Sequence, residues 1–287
     1  MPSTAAAELE VVTTVTDLAA LTQEVGGERV SVISLSLPTQ DTHWVDAKPS
    51  MAIKVNKADL LVAVGAELEV GWLPTLQQGA RNPRVMRSGA GFLECSSHVT
   101  LREVQTNRID RSMGDIHAAG NPHYLYDPRA ALRCARAIAA KLAALDPGGK
   151  QQYQDNLIRF ARRLEAKRQD WEKRLAPYRG AKLVTYHRSW IYLTEWLGLS
   201  TIAHLEPKPG VPPSPGHVAR VIGQARQQGV KIVLQETYYP SRTGTLVAEK
   251  IGARLLVLPA ATDLRRGESY IDHMEQVVSK LEAALKG

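Results

Sequence analysis

Two cysteines and two phenylalanines are all that this 287-residue chain contains of either type. Cys95 and Cys134 have no C-x-x-C spacing. That excludes a zinc ribbon and a thioredoxin-like motif, and leaves either a disulfide or two buried thiols. No apolar run approaches the ~20 residues that a membrane-spanning helix needs. There is no H-E-x-x-H pair and no nucleophile elbow, so two familiar hydrolase signatures are missing. No internal repeat of solenoid length is present. The first seven residues lack the basic and apolar regions of a signal peptide, which fits a cytosolic protein or a mature exported chain.

What is present has the balance of a globular protein, with 44% hydrophobic and 23% charged residues. The length allows one large or two medium domains with ample core. A net charge of +7 raises the question of an anionic partner. Its distribution answers it. Residues 150–174 hold eight Lys or Arg against four acids on one predicted helix, as a solvated helix face would. No nucleic-acid motif accompanies them, and no nucleic-acid partner is expected.

Strand and helix alternate twice along the chain. In the first half, strands are predicted at 11–15, 30–35, 60–64 and 91–94, with helices at 17–25, 49–56 and 67–78. The apolar run at 60–64 reads as a buried parallel strand. From Pro128 the period becomes helical up to Asp146-Pro147-Gly148-Gly149. A long helix follows at 150–175, with Tyr153, Leu157, Phe160, Leu164, Trp171 and Leu175 on one stripe. After it the alternation restarts, with strands at 182–185, 201–205, 231–235 and 254–258. The expected fold is α/β: two lobes with mostly parallel sheets, 1–149 and 178–287, joined by one long rigid helix at 150–177.

Eight histidines are available for chemistry: His43, His98, His117, His123, His187, His204, His217 and His273. Three share one kind of place. His43 lies in the loop after the second strand, His123 on the proline-stiffened loop Asn121-Pro122-His123 before a helix, and His187 directly after the 182–185 strand. Ligands of open α/β sheets collect outside the carboxyl ends of strands. Three neutral imidazoles make a good zinc site, and binding that needs them neutral should weaken as pH drops through the ~6.5 region. A lone loop histidine is usually only solvated or hydrogen-bonded. His98, His204, His217 and His273 are read that way, with His117 intermediate.

The words around these histidines carry a resemblance. Asp41-Thr42-His43 with Pro49-Ser50 resembles the "D-P-H…P-S" loop of the zinc/manganese solute-binding proteins of ABC importers. Gly26-Gly27-Glu28-Arg29-Val30 resembles their "GG-D/E-R-V" turn, and Ala58-Asp59-Leu60 with Gly65-Ala66-Glu67-Leu68-Glu69 their "A-D-L…G-x-x-L-E". Asn121-Pro122-His123 through Asp127-Pro128 is similar to "D/N-P-H-x-W-x-D-P". Tyr186-His187, Leu197-Gly198-Leu199 and Ala248-Glu249-Lys250-Ile251-Gly252-Ala253 continue the order, from about residue 10 to 285.

That resemblance implies two α/β lobes bridged by a rigid helix, with the metal between the lobes. It implies His43, His123 and His187 as ligands of a transported Zn²⁺, delivery to a membrane ABC permease, a periplasmic location, a monomer and no catalysis. Pro259 stands where the family often has an Asp, so the fourth ligand is left among Glu236, Asp263 and water. Glu236 can equally orient a histidine. The His-rich acidic loop of many zinc members is absent. The rival readings are manganese as cargo and a zinc hydrolase or hydratase with a His₃–water site.

Overall fold

The computed structural model of the chain describes residues 8–105 and 117–286. The residues group into two compact units. One comprises Met1–Thr100, Pro128–Ala166 and Ala261–Tyr270; the other comprises Leu101–Asp127, Lys167–Ala260 and Ile271–Gly287. Two segments, Leu101–Asp127 and Ala261–Tyr270, leave their sequence neighbours. In the first unit, Asp17 takes hydrogen bonds from both the backbone N–H and the hydroxyl of Thr262, at 3.0 and 2.5 Å. In the second, the Tyr192 hydroxyl accepts from the Arg102 N–H and donates to the Asn121 carbonyl.

The first unit holds strands β1 (Leu9–Thr13), β2 (Val30–Ser34), β3 (Leu60–Ala63) and β4 (Phe92–Glu94) in one parallel sheet of order β2-β1-β3-β4. Every residue of β3 is buried, as its unbroken apolar sequence requires. Helices α2 (Pro49–Lys57) and α3 (Leu73–Ala80) contribute Val55, Leu73 and Leu76, and the α3 N-cap residue Trp72 joins them, in a core with Leu61 and Ala63. Helix α1 (Thr16–Gly26) packs on α4 (Pro128–Leu145).

The helix expected at 67–78 begins only at Leu73. Gly65, Ala66 and Glu67 all have positive φ, at 81°, 48° and 66°, a conformation no right-handed helix contains. Glu69 explains the detour. Its buried carboxylate accepts from the Val64 and Gly65 N–H groups, at 2.8 and 3.0 Å, and from the Thr14 hydroxyl at 2.6 Å. Burial nevertheless pushes its carboxyl above the usual carboxylate range. Cys95 and Cys134 are both free and buried. A hydrogen bond to Cys134, together with burial, holds the Cys95 thiol well above its ordinary pKa.

The second unit repeats the plan with β5 (Lys182–Thr185), β6 (Ser200–His204), β7 (Ile232–Glu236) and β8 (Arg254–Leu258), parallel and ordered β6-β5-β7-β8. Helix α6 (Ile191–Leu197) ends on Gly198 at φ 70°, where a side chain would be strained. Helices α7 (Pro215–Gln227) and α8 (Ser241–Ile251) pack Val218, Val221, Ala225, Val247 and Ala248 around Val184 and Val233. The Ser214 hydroxyl caps α7 by accepting from the His217 N–H.

Helix α5 (Lys150–Leu175) is continuous over 26 residues. Its turns up to Ala166 group with the first unit and those from Lys167 with the second. Tyr153, Phe160, Leu164, Trp171 and Leu175 of the predicted stripe are buried, whereas Leu157 is only half-buried and its neighbour Asn156 is buried. At least four of the helix's eight Lys and Arg residues form ion pairs. Arg163 meets Glu24, Lys167 meets Glu275, Arg168 meets Glu172, and Arg174 reaches Asp170, Glu275 and Glu282. The last two lie on the terminal helix α9 (Tyr270–Lys286).

Both sheets change winding direction beside their first strand, between β1 and β3 and between β5 and β7. At such points the loops leave in opposite directions and open a crevice at the carboxyl ends of the strands. In the second unit His187 follows β5 and Glu236 ends β7, so these two residues flank that point.

Candidate metal centre

The same two-residue turn presents His43 in the first unit and His123 in the second. Asp41 Oδ1 accepts from the His43 backbone N–H at 3.0 Å and lies 2.7 Å from the ring Nδ1. Asn121 Oδ1 accepts from the His123 N–H at 3.0 Å and lies 3.0 Å from its Nδ1. Short polar side chains favour this local bonding because they reach their own backbone two residues on. An acceptor at Nδ1 puts the proton there and the lone pair on Nε2, the form in which imidazole binds a metal. The His43 loop is also pinned by Trp72, whose indole N–H donates to the Thr42 carbonyl at 3.0 Å.

His187 reaches the same state by a different route. Its Nδ1 lies 2.6 Å from Glu206 Oε2, and the two side chains are only 4% and 7% exposed. Within the second unit the His123 and His187 rings are 5.2 Å apart between centroids, inclined at 73°. They share a cavity of about 220 Å³ with Asn121, His117, Arg188 and Lys208. Tyr239 stacks on Tyr186 at 4.0 Å and lies 6.4 Å from the His187 ring.

Glu236 is fully buried. Burial first, then the nearby charges of Glu206 and Glu236, push the Tyr186 phenol up. Asp263 belongs to the first unit and serves its own turn, accepting from the Arg265 N–H and pairing with the Arg265 and Arg266 guanidinium groups. Of the residues singled out in the sequence, His123, His187 and Glu236 belong to the second unit and His43 and Asp263 to the first.

The other histidines have local roles. His98 is exposed and His273 is 1% exposed. His204 Nδ1 meets the Thr185 hydroxyl at 2.8 Å, and burial pushes its pKa down to about 4. His217 Nε2 bonds the His204 carbonyl. Sequence reasoning missed Glu206. Its one available signal was position, at the carboxyl end of a strand that pairs with the strand leading into His187.

Residues 11–284 match the family model described as zinc-uptake complex component A, periplasmic. The chain belongs to this family. Over 290 residues it is 25% identical to the high-affinity zinc uptake system protein ZnuA of Bacillus subtilis (strain 168), covering 97% of this chain and 88% of the relative. It is 22% identical to the manganese ABC transporter substrate-binding lipoprotein PsaA of Streptococcus pneumoniae, covering 97% and 89%. Its fold matches a crystal structure of ZnuA with a TM-score of 0.82 at 24% identity, covering 96% of this chain and 99% of that one. The family consists of metal-binding solute-binding proteins of ABC importers, which bind metal ions and deliver them to permeases; this chain is one of them and not an enzyme. The parallel-sheet lobes and long helix are the fold its resemblance implied.

Proposed function

We propose that the protein binds Zn²⁺ outside the cytoplasm, in the periplasm, as a monomer and hands it to a membrane ABC permease. His43, His123 and His187 each offer one ring nitrogen to a metal, and the proposed ligand set joins all three on one ion. The observation that carries this reading is the common state of the three rings. Each has its Nδ1 against an oxygen acceptor, on Asp41, Asn121 and Glu206. Three imidazoles so oriented suit a borderline-soft, tetrahedral ion better than a hard one that prefers oxygen. Glu236, a buried carboxylate at the end of β7, is the proposed fourth ligand; Asp263 is engaged in its own turn.

The same Glu236 favours a second reading. A carboxylate completing the imidazole set would bring manganese closer to acceptable, and one relative is a manganese transporter's binding lipoprotein. Competition titrations of the metal-free protein with Zn²⁺ and Mn²⁺ separate the two. The zinc reading expects Zn²⁺ to bind far more tightly, and expects His43→Ala, His123→Ala and His187→Ala each to weaken it. Zinc binding undiminished in all three variants, or a preference for Mn²⁺, sinks it.

A further inference from the structure

Asn121 uses every hydrogen-bonding position of its side chain. Its Oδ1 takes both the backbone N–H and the ring Nδ1–H of His123. Its Nδ2 donates at 3.0 Å to Glu103 Oε2 and at 3.0 Å to the carbonyl of Arg188. An amide has two donor hydrogens and two acceptor lone pairs, and all four are occupied. The environment also fixes which way the amide faces, because a carboxylate and a carbonyl can only receive.

These partners come from three stretches of the second unit. His123 is on the loop before α4, Glu103 is on the segment after Thr100, and Arg188 directly follows His187. The Arg188 guanidinium returns to Glu103 as an ion pair, closing the ring. The backbone of Asn121 is held as well. Its N–H donates to the Arg102 carbonyl at 2.7 Å, and its carbonyl accepts from the Tyr192 hydroxyl at 2.6 Å. Gly120, at φ 118°, lets the strands of chain approach this closely; a Cβ there would stand 2.8 Å from the Leu101 side chain and 2.9 Å from the Arg102 carbonyl. Asn121 is 6% exposed, so water does not replace a lost partner cheaply.

We propose that Asn121 is a positioning residue that holds the His123 and His187 loops in register, so that both Nε2 atoms present at one point. The proposal rests on the reading that both histidines ligate the cargo. It explains why an amide stands here. Aspartate would still accept from His123, but it has no donor for Arg188 and would set a second carboxylate against Glu103. Serine would keep an acceptor near His123 and lose the reach to Arg188.

The test compares the full-length protein with Asn121→Asp and Asn121→Ser. Zinc affinity is read by competition with a chromogenic chelator, coordination geometry by the visible spectrum of the Co²⁺ form, and ring environment by imidazole ¹⁵N resonances of the metal-free protein. Loss of such supporting contacts costs about 10- to 100-fold in metal affinity. That loss is expected in both variants, with a changed Co²⁺ spectrum. The decisive readout is His187: its ring resonances should move in both variants although Asn121 never touches that ring. A change confined to His123, with or without lost affinity, overturns the coupling. The wild-type titration stands apart from this comparison: wild type that fails to bind zinc refutes the cargo reading, while the metal-free resonances still decide the role of Asn121.

Discussion

His187 Nδ1 and Glu206 Oε2 lie 2.6 Å apart in a pair whose side chains are 4% and 7% exposed. A carboxylate this close and this dry orients the imidazole, selects its tautomer and makes Nε2 a stronger donor to a cation. Glu206→Ala should therefore weaken zinc binding by about 10- to 100-fold. Glu206→Gln keeps an acceptor of the same length and should lose less. Isothermal titration or chelator competition ranks the two, and equal affinities for Ala, Gln and wild type would remove Glu206 from the site.

A second carboxylate governs acid stability instead of metal. Burial pulls the Glu275 carboxyl upward, but hydrogen bonds from Arg174, Lys167, Trp171 and Ser279 outweigh it and hold the group well below the usual carboxylate range. A depressed folded-state pKa means that the unfolded chain binds the proton more readily. The stabilisation is complete above the unfolded value of 4.5 and is lost as pH falls below it. Glu275→Gln should cost about 1–2 kcal/mol at pH 7, the range for charge-assisted bonds that are partly solvated. Repeating the denaturant titration near pH 3 should show the gap between variant and wild type narrowed.

The core stripe of α5 makes a simpler prediction. Phe160 is fully buried within the part of the helix that groups with the first unit. Phe160→Ala should destabilise by about 3–5 kcal/mol through lost burial and the cavity left behind. Chemical denaturation followed by far-ultraviolet circular dichroism gives the difference directly.

Helices and strands with strong periodicity are legible in the sequence. The 26-residue α5 and strands β5 and β8 fall where apolar spacing puts them. The start of α3 did not, because nothing in Gly65-Ala66-Glu67 announces three successive positive φ values; they form the turn across which the Glu69 carboxylate reaches back to the Val64 and Gly65 N–H groups. The histidine loops were readable because Asp41-x-His43 and Asn121-x-His123 make their hydrogen bonds locally. Glu206 was not, since it meets His187 from 19 residues away and only the pairing of β5 with β6 brings it there. The exchange of segments between the units was equally hidden. It includes long-range contacts such as Asp17 with Thr262, 245 residues apart.

That last contact can be tested alone. Asp17 lies at the start of α1 and is 8% exposed, and its Oδ1 receives both Thr262 donors while Thr262 itself is fully buried. Asp17→Ala would leave a backbone N–H and a hydroxyl without their acceptor in a place water reaches poorly. The cost of such orphaned donors is about 1–3 kcal/mol. Because the contact ties 261–270 to α1, the loss should show locally before it shows globally. Hydrogen exchange is expected to accelerate at Thr262 and its neighbours, with little change in β1 or β3. Protection at 261–270 that matches wild type would mean this segment is held to the first unit by something other than Asp17.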